Sequence, residues 1–252
     1  ADGGLRLRLA HSPGFDFDRA LSYLAARAIP GVESVAARVA AKGVYRRVID
    51  TCGHPGVFEI AGSPDRPTTN TTHLEVTVHL SAFTGLVDDV ARCRRMLGLD
   101  TDFTDGRAQL AGDALLGPAV SAMPGIAVPG AWDRFGTAVR IILGQQVTVR
   151  AASTISGRVA ERFGIPVAGL EPFGLGHMFP SADRLAGADL SGIGVPTTRA
   201  QTIGVFATVV ANGSLDLHGG DELPDLLLRL QAVPGIGPWT AHMIAMRVYG
   251  HL

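Results

Sequence analysis

Lysine is almost missing from this sequence: Lys42 is the only one, and arginine supplies the rest of the 22 basic side chains, set against 23 acidic ones. The formal charge of -1 leaves no basic excess to attract phosphates at long range. Non-specific nucleic-acid binding through bulk charge is therefore excluded, and only local patches remain. The preference for arginine is read as base composition, since arginine can replace lysine on most solvated surfaces. Cysteine is scarce as well. Cys52 and Cys93 form no CxxC, have no ligand spacing with histidine, and cannot build a disulfide framework for a chain of 252 residues. A reduced, cytosolic protein is the simplest inference. No apolar run is long enough to span a bilayer, and the start, Ala1-Asp2-Gly3-Gly4, is neither an initiator methionine nor a signal peptide. That start reads as a fragment boundary.

What is present is a globular chain, 46% hydrophobic, with Gly 32 and Pro 15 in no collagen period, long enough for one large or two smaller domains. Leu5 to Leu9 alternates with Arg6 and Arg8 as a strand does, and Phe17 to Ile29 has helical spacing behind Asp16 or Asp18 as cap. Residues 44–49, 56–60 and 73–80 are β-branched-rich strand segments, and the Pro, Asp, Asn and Thr content of 62–72 marks a loop between the last two. A helix is expected from Ser81 through Leu97, stopped by Gly98. From about Leu115 strand signals nearly vanish. Residues 117–130, with Pro118, Pro124 and Pro129, read as an extended connection; helices follow at 132–143, 148–163, 198–211, 225–230 and 239–249.

The sharpest feature is the string Leu230-Gln231-Ala232-Val233-Pro234-Gly235-Ile236-Gly237-Pro238-Trp239-Thr240-Ala241. One helix ends, two glycines around one apolar residue make a tight turn, and a second helix begins at once. The glycines let backbone approach another surface, the free amides of the second helix favour a phosphate, and Ile236 anchors the turn in the core. A bare GxG would equally serve a plain helix-turn-helix corner. The full string is far more specific.

With this string, the segments 131–149 (AWDRFGTAVRIILGQQVTV) and 23–33 (YLAARAIPGVE) make the sequence resemble the helix-hairpin-helix superfamily of base-excision DNA glycosylases, of the 3-methyladenine-DNA glycosylase II type. The resemblance covers nearly the whole chain. It implies an α+β architecture: a small antiparallel, TBP-like αβ domain at 1–94, a connecting segment at 95–117 packing with C-terminal helices absent from this sequence, and an all-helical domain at 118–252 with the hairpin at 225–250. It implies duplex DNA carrying alkylated bases as partner, no membrane, and a cytoplasmic or nucleoid-associated setting. In many bacteria such a module is fused behind an alkyl-transfer and regulatory region.

By the same resemblance, Trp239 and Tyr23 are pocket aromatics for a cationic base and Arg27 is an arginine near that pocket. Gly235, Gly237 and Thr240 offer amides to phosphates, and Gln146 fills the gap left by an extruded nucleotide, where some relatives use an apolar wedge. Arg150 and Arg199 are further phosphate contacts. The bland alternatives are core packing for Trp239 and Tyr23, a solvated role for the arginines, and a polar helix end for Gln146. No cofactor is implied beyond an alkali cation on the backbone carbonyls of Gln231, Val233 and Ile236.

Relatives that also cut the strand place a Schiff-base lysine just after the hairpin glycines, where Trp239 stands here, so the resemblance implies a monofunctional enzyme. One departure is large. No carboxylate occurs between Trp239 and Leu252, and Met243 stands where some relatives have a tyrosine. The catalytic aspartate of the family is expected after Leu252. The competing expectations are a hairpin module that binds DNA or senses lesions without catalysis, and an αβ-plus-helical scaffold with a coincidental hairpin.

Overall fold

A computed structural model describes residues 4–12, 15–38, 41–62, 73–101, 103–123, 125 and 127–250. Of the loop expected at 62–72, Gly62 ends a strand, while residues 63–72, Pro124 and the termini at 1–3 and 251–252 lie outside the described residues. A five-stranded antiparallel sheet opens the chain: β1 (Leu5–Ala10), β2 (Glu33–Arg38), β3 (Ala41–Thr51), β4 (His54–Gly62) and β5 (His73–His79), in the order β1-β5-β4-β3-β2. Helix α1 (Phe17–Arg27) follows β1, and α2 (Leu86–Leu97) follows β5.

Alternation decides the faces. On β5, Leu74, Val76 and Val78 are buried and their neighbours partly exposed, as period 2 requires. Together with Tyr45, Ile49, Phe58 and Ile60 they pack against Phe17 and Leu21 of α1 and Cys93, Met96 and Leu97 of α2. The opposite face is covered by the helical half. Val48 and Val57 meet Leu175, with Leu170, Phe173 and Met178 around them, on the excursion that holds the short strands β6 (Ile165–Pro166) and β7 (His177–Met178). The sheet's centre is thus buried on both faces.

The helical half comprises α3 (Thr104–Ala111), α4 (Gly117–Ala122), α5 (Arg134–Leu143), α6 (Val149–Phe163), α7 (Ala182–Leu185), α8 (Thr197–Ala211), α9 (Leu223–Gln231) and α10 (Pro238–Ile244), the last continued by a π-helical turn, Ala245–Tyr249. The expected α+β order is present. Asp16 caps α1, accepting from the Arg19 amide at 3.0 Å, and the helix ends at Arg27 instead of Ile29 because Pro30 disfavours helix in the residue before it. The start at Ser81 needs correcting. Gly85, at φ +87°, precedes α2, while Ser81 bonds the His54 ring at 3.2 Å. The extended reading of 117–130 is also corrected, since its first part is α4: proline is tolerated in a first helical turn, where its missing N–H has no partner to lose.

Trp132, just before α5, is buried in the core of the αβ layer and meets Phe58 edge-on with ring centroids 5.0 Å apart. It therefore joins the two halves. Trp132→Ala is expected to lower unfolding free energy by about 3–5 kcal/mol in urea denaturation. A loss below about 1 kcal/mol would show that the junction does not depend on this ring.

Candidate base pocket and hairpin interface

The turn between α9 and α10 forms because Leu230, Val233 and Ile236 are all buried in the helical core while the residues between them are not. Gly235 has φ +90°, and a Cβ there would collide with Thr202 Oγ1 on α8, so this position requires glycine for both conformation and space. Gly237 is extended and opens α10. The amides of Gly235, Gly237 and Thr240 donate to no carbonyl among the described residues, which leaves a set of N–H groups at the start of a helix. The Thr240 side chain is committed elsewhere: buried, its hydroxyl accepts from Gln145 Nε2 at 2.9 Å.

Gln145 is a residue that sequence reasoning missed. Its amide also reaches the Gly235 carbonyl at 3.3 Å, bracing the turn between α5 and α6 against the hairpin. Gln146 is exposed with φ +56°, one of two non-glycine residues at positive φ among the described residues. The neighbouring glutamine is therefore held inward while Gln146 points to solvent on a costly backbone. Local sequence offers no means to say which of two adjacent glutamines turns in.

Beside the hairpin lies a cavity of about 400 Å³ between the two halves of the molecule. Three of the residues singled out in sequence, Tyr23, Arg27 and Trp239, line it together. Trp239 is 64% exposed. Tyr23 and Arg27, one helical turn apart on α1, form one stacked unit with the guanidinium carbon 3.9 Å from the ring centroid. Arg247, from the π-helical turn, donates to the Tyr23 hydroxyl and lies 5.1 Å from the same ring. The π turn shifts the register of the hairpin helix just where it meets α1. Met243 also lines the cavity.

Glu33, a residue without a role in the sequence analysis, also lines the cavity. It is buried, accepts from the Ile29 amide and the Tyr45 hydroxyl at 2.9 Å each, and pairs with Arg47. Arg140 of α5 approaches it at 3.9 Å. Burial first, and Glu33's charge second, push the Tyr45 hydroxyl far above the ordinary tyrosine range. Burial works against the Arg47 cation, but Glu33, Tyr45 and Asp133 outweigh it and hold the charge firmly. Arg140 is pulled below its usual value, chiefly by burial, with Glu33 only partly compensating. The cavity lining thus holds Arg27, Arg47, Arg140 and Arg247 against the single carboxylate Glu33. No local pattern in sequence joins these residues, which come from α1, β2, β3, α5 and the hairpin helix.

Arg150 is exposed in the first turn of α6. Arg199 is half-buried in the first turn of α8, one turn before the Thr202 that touches Gly235, and its Nε is buried without a partner. Among the described residues, no group of His, Cys, Asp and Glu is arranged to hold a metal ion, and no helix is long and apolar enough to cross a membrane.

An αβ layer, a helical half and a glycine hairpin beside an interdomain cavity define the helix-hairpin-helix glycosylase fold. A family pattern described as the AlkA N-terminal domain matches residues 6–133. The DNA-3-methyladenine glycosylase 2 of Escherichia coli is 33% identical over 242 residues, covering 93% of this chain and 78% of that protein. A Mycobacterium tuberculosis protein named "Probable bifunctional transcriptional activator/DNA repair enzyme AlkA" is 36% identical over 248 residues, covering 98% of this chain and 47% of that one. The chain therefore spans about half the length of the mycobacterial relative. A solved 3-methyladenine DNA-glycosylase from Archaeoglobus fulgidus shares the fold, with a TM-score of 0.73 and 19% identity over 98% of this chain and 80% of that chain. The chain belongs to the AlkA, or 3-methyladenine-DNA glycosylase II, family.

Glu33→Gln removes the carboxylate paired with buried Arg47 and is expected to cost about 3–5 kcal/mol by urea denaturation. An unchanged midpoint would contradict the role given to this carboxylate.

Proposed function

We propose that this chain is the glycosylase portion of a DNA-repair enzyme that excises alkylated purines, 3-methyladenine among them, from duplex DNA by base flipping. The observation that carries the reading is the convergence of Trp239, Tyr23 and Arg27 on one cavity beside the hairpin. Family membership supports it.

The amides of Gly235, Gly237 and Thr240 take phosphates of the lesion strand, and Gln146 enters the gap left in the stack. The extruded base lies against the exposed face of Trp239, whose electron-rich ring suits a purine that already carries positive charge. Arg27, Arg140 and Arg247 are too many cations for a cationic base alone; they suit the phosphates that enter with the flipped nucleotide. As the glycosidic bond breaks, charge develops on the sugar, and a carboxylate must face it. Glu33 is already occupied by Ile29, Tyr45 and Arg47, so it does not serve. The family resemblance calls for an aspartate in this role. Trp239 stands just after the hairpin glycines, where relatives that cut the strand carry a Schiff-base lysine, which supports hydrolysis that leaves an abasic site. Among the described residues the carbonyls of Gln231 and Ile236 accept no backbone bond outside the helices, while that of Val233 accepts from the Ile236 amide at 3.0 Å, which supports an alkali cation held by the first two, with Val233 beside them. A fused alkyl-transfer and regulatory region accords with the greater length of the mycobacterial relative.

The occupied state of Glu33 also favours a second reading, a lesion-binding module without catalysis. Release of 3-methyladenine from alkylated duplex by the chain extended past Leu252 separates them. Release is expected, with Trp239→Ala reducing it about ten- to hundredfold. Binding of abasic duplex without release would establish the second reading, and failure to bind at low salt would overturn both.

A further inference from the structure

A second cationic surface runs along α6, the helix that follows the Gln145–Gln146 turn. Helix α6 starts directly after the Gln145–Gln146 turn, and Arg150, Thr154 and Arg158 follow at intervals of four residues, so they share its exposed side. With Thr148 and Gly194 they line a shallow groove of about 370 Å³. The loop before α8 shapes this groove. Gly194 has φ +96°, a backbone conformation that favours glycine, and the loop it shapes lies against the Arg158 guanidinium. Arg158 donates to the Ile193 carbonyl at 3.2 Å, which holds its guanidinium along the groove. Among the described residues neither Arg150 nor Arg158 has an ion-pair partner. Asp189, the acid on the neighbouring loop, faces Arg162 instead, at 3.9 Å.

A duplex presents two backbones, and a side chain that enters between base pairs stands between them. Gln145 ties one side of the turn to the hairpin through Gly235 and Thr240, while the other side leads into α6. Arg150 and Arg158 are separated by about 12 Å of helix axis. That exceeds the axial step of about 3.4 Å between phosphates of one strand, so each guanidinium meets a different phosphate.

We propose that the α6 groove binds the phosphodiester backbone of the strand opposite the lesion, so that hairpin and groove hold the two strands apart around Gln146. This rests on the duplex-binding reading above.

The test uses abasic-site duplexes and fluorescence anisotropy over a range of salt. Arg150→Gln/Arg158→Gln is expected to weaken binding about tenfold and to make the dependence of log affinity on log salt shallower by about 2. Arg158→Lys, which keeps the charge but alters the contact to Ile193, should retain the steep dependence; a loss as large as that of the double variant would show that loop support, not charge, was measured. Neutral methylphosphonates then identify the strand. Placed in the complementary strand they should weaken the wild-type chain and leave the double variant unaffected, while in the lesion strand they should weaken both equally. A double variant still sensitive to the complementary substitution, or insensitive only to the lesion-strand one, overturns the proposal. A wild-type chain that binds no duplex at low salt overturns the duplex reading itself, a result visible before any variant is examined.

Discussion

Glu33 sits where the turn after α1, the middle of the sheet and helix α5 converge, and its two oxygens serve the Ile29 amide, the Tyr45 hydroxyl and the Arg47 guanidinium, with Arg140 close by. Each partner belongs to an element that also carries something the cavity needs. Ile29 ends the segment from α1, which brings Tyr23 and Arg27. Arg47 belongs to β3 and Arg140 to α5, whose last turn leads into Gln145 and Gln146. A buried ion pair adds little net stability over a well-packed apolar substitute, but it is intolerant of misplacement. Its value here is geometric, fixing α1 against α5 so that the cavity keeps its shape.

The same logic explains how a chain with a formal charge of -1 can present itself to a polyanion. Its arginines are not spread evenly. Arg27, Arg47, Arg140 and Arg247 gather at the cavity, while Arg150 and Arg158 lie along α6. Oriented amides at the hairpin add positive potential without any net charge at all. Local density, not total charge, is what a nucleotide drawn out of a helix would meet.

Most of the fold was legible because its elements announce themselves. The alternation of β5, the cap at Asp16, the glycine stop at Gly98 and the hairpin string all follow from local chemistry. The elements that escaped have weak local signals. Helix α3 buries none of its residues and so has no apolar stripe, α4 hides behind Pro118, and β2, rich in alanine and serine, is a strand because β3 pairs with it. The site divides in the same way. Tyr23, Arg27 and Trp239 were found through a family resemblance carried by contiguous strings. Glu33, Arg140 and Arg247 act through contacts between distant segments, and the bond from Arg247 to Tyr23 joins residues at opposite ends of the chain. Such pairs become visible only when the helices are placed.

On the proposed function, the cavity between the two halves receives a nucleotide turned out of the duplex. Fluorescence of 2-aminopurine placed next to an abasic analogue reports this directly, because its emission rises when stacking is lost. Saturating amounts of the chain are predicted to raise that emission, and replacement of Gln146 by glycine to blunt the rise while binding persists. Emission that stays at the free-duplex level under saturated binding would contradict the claim.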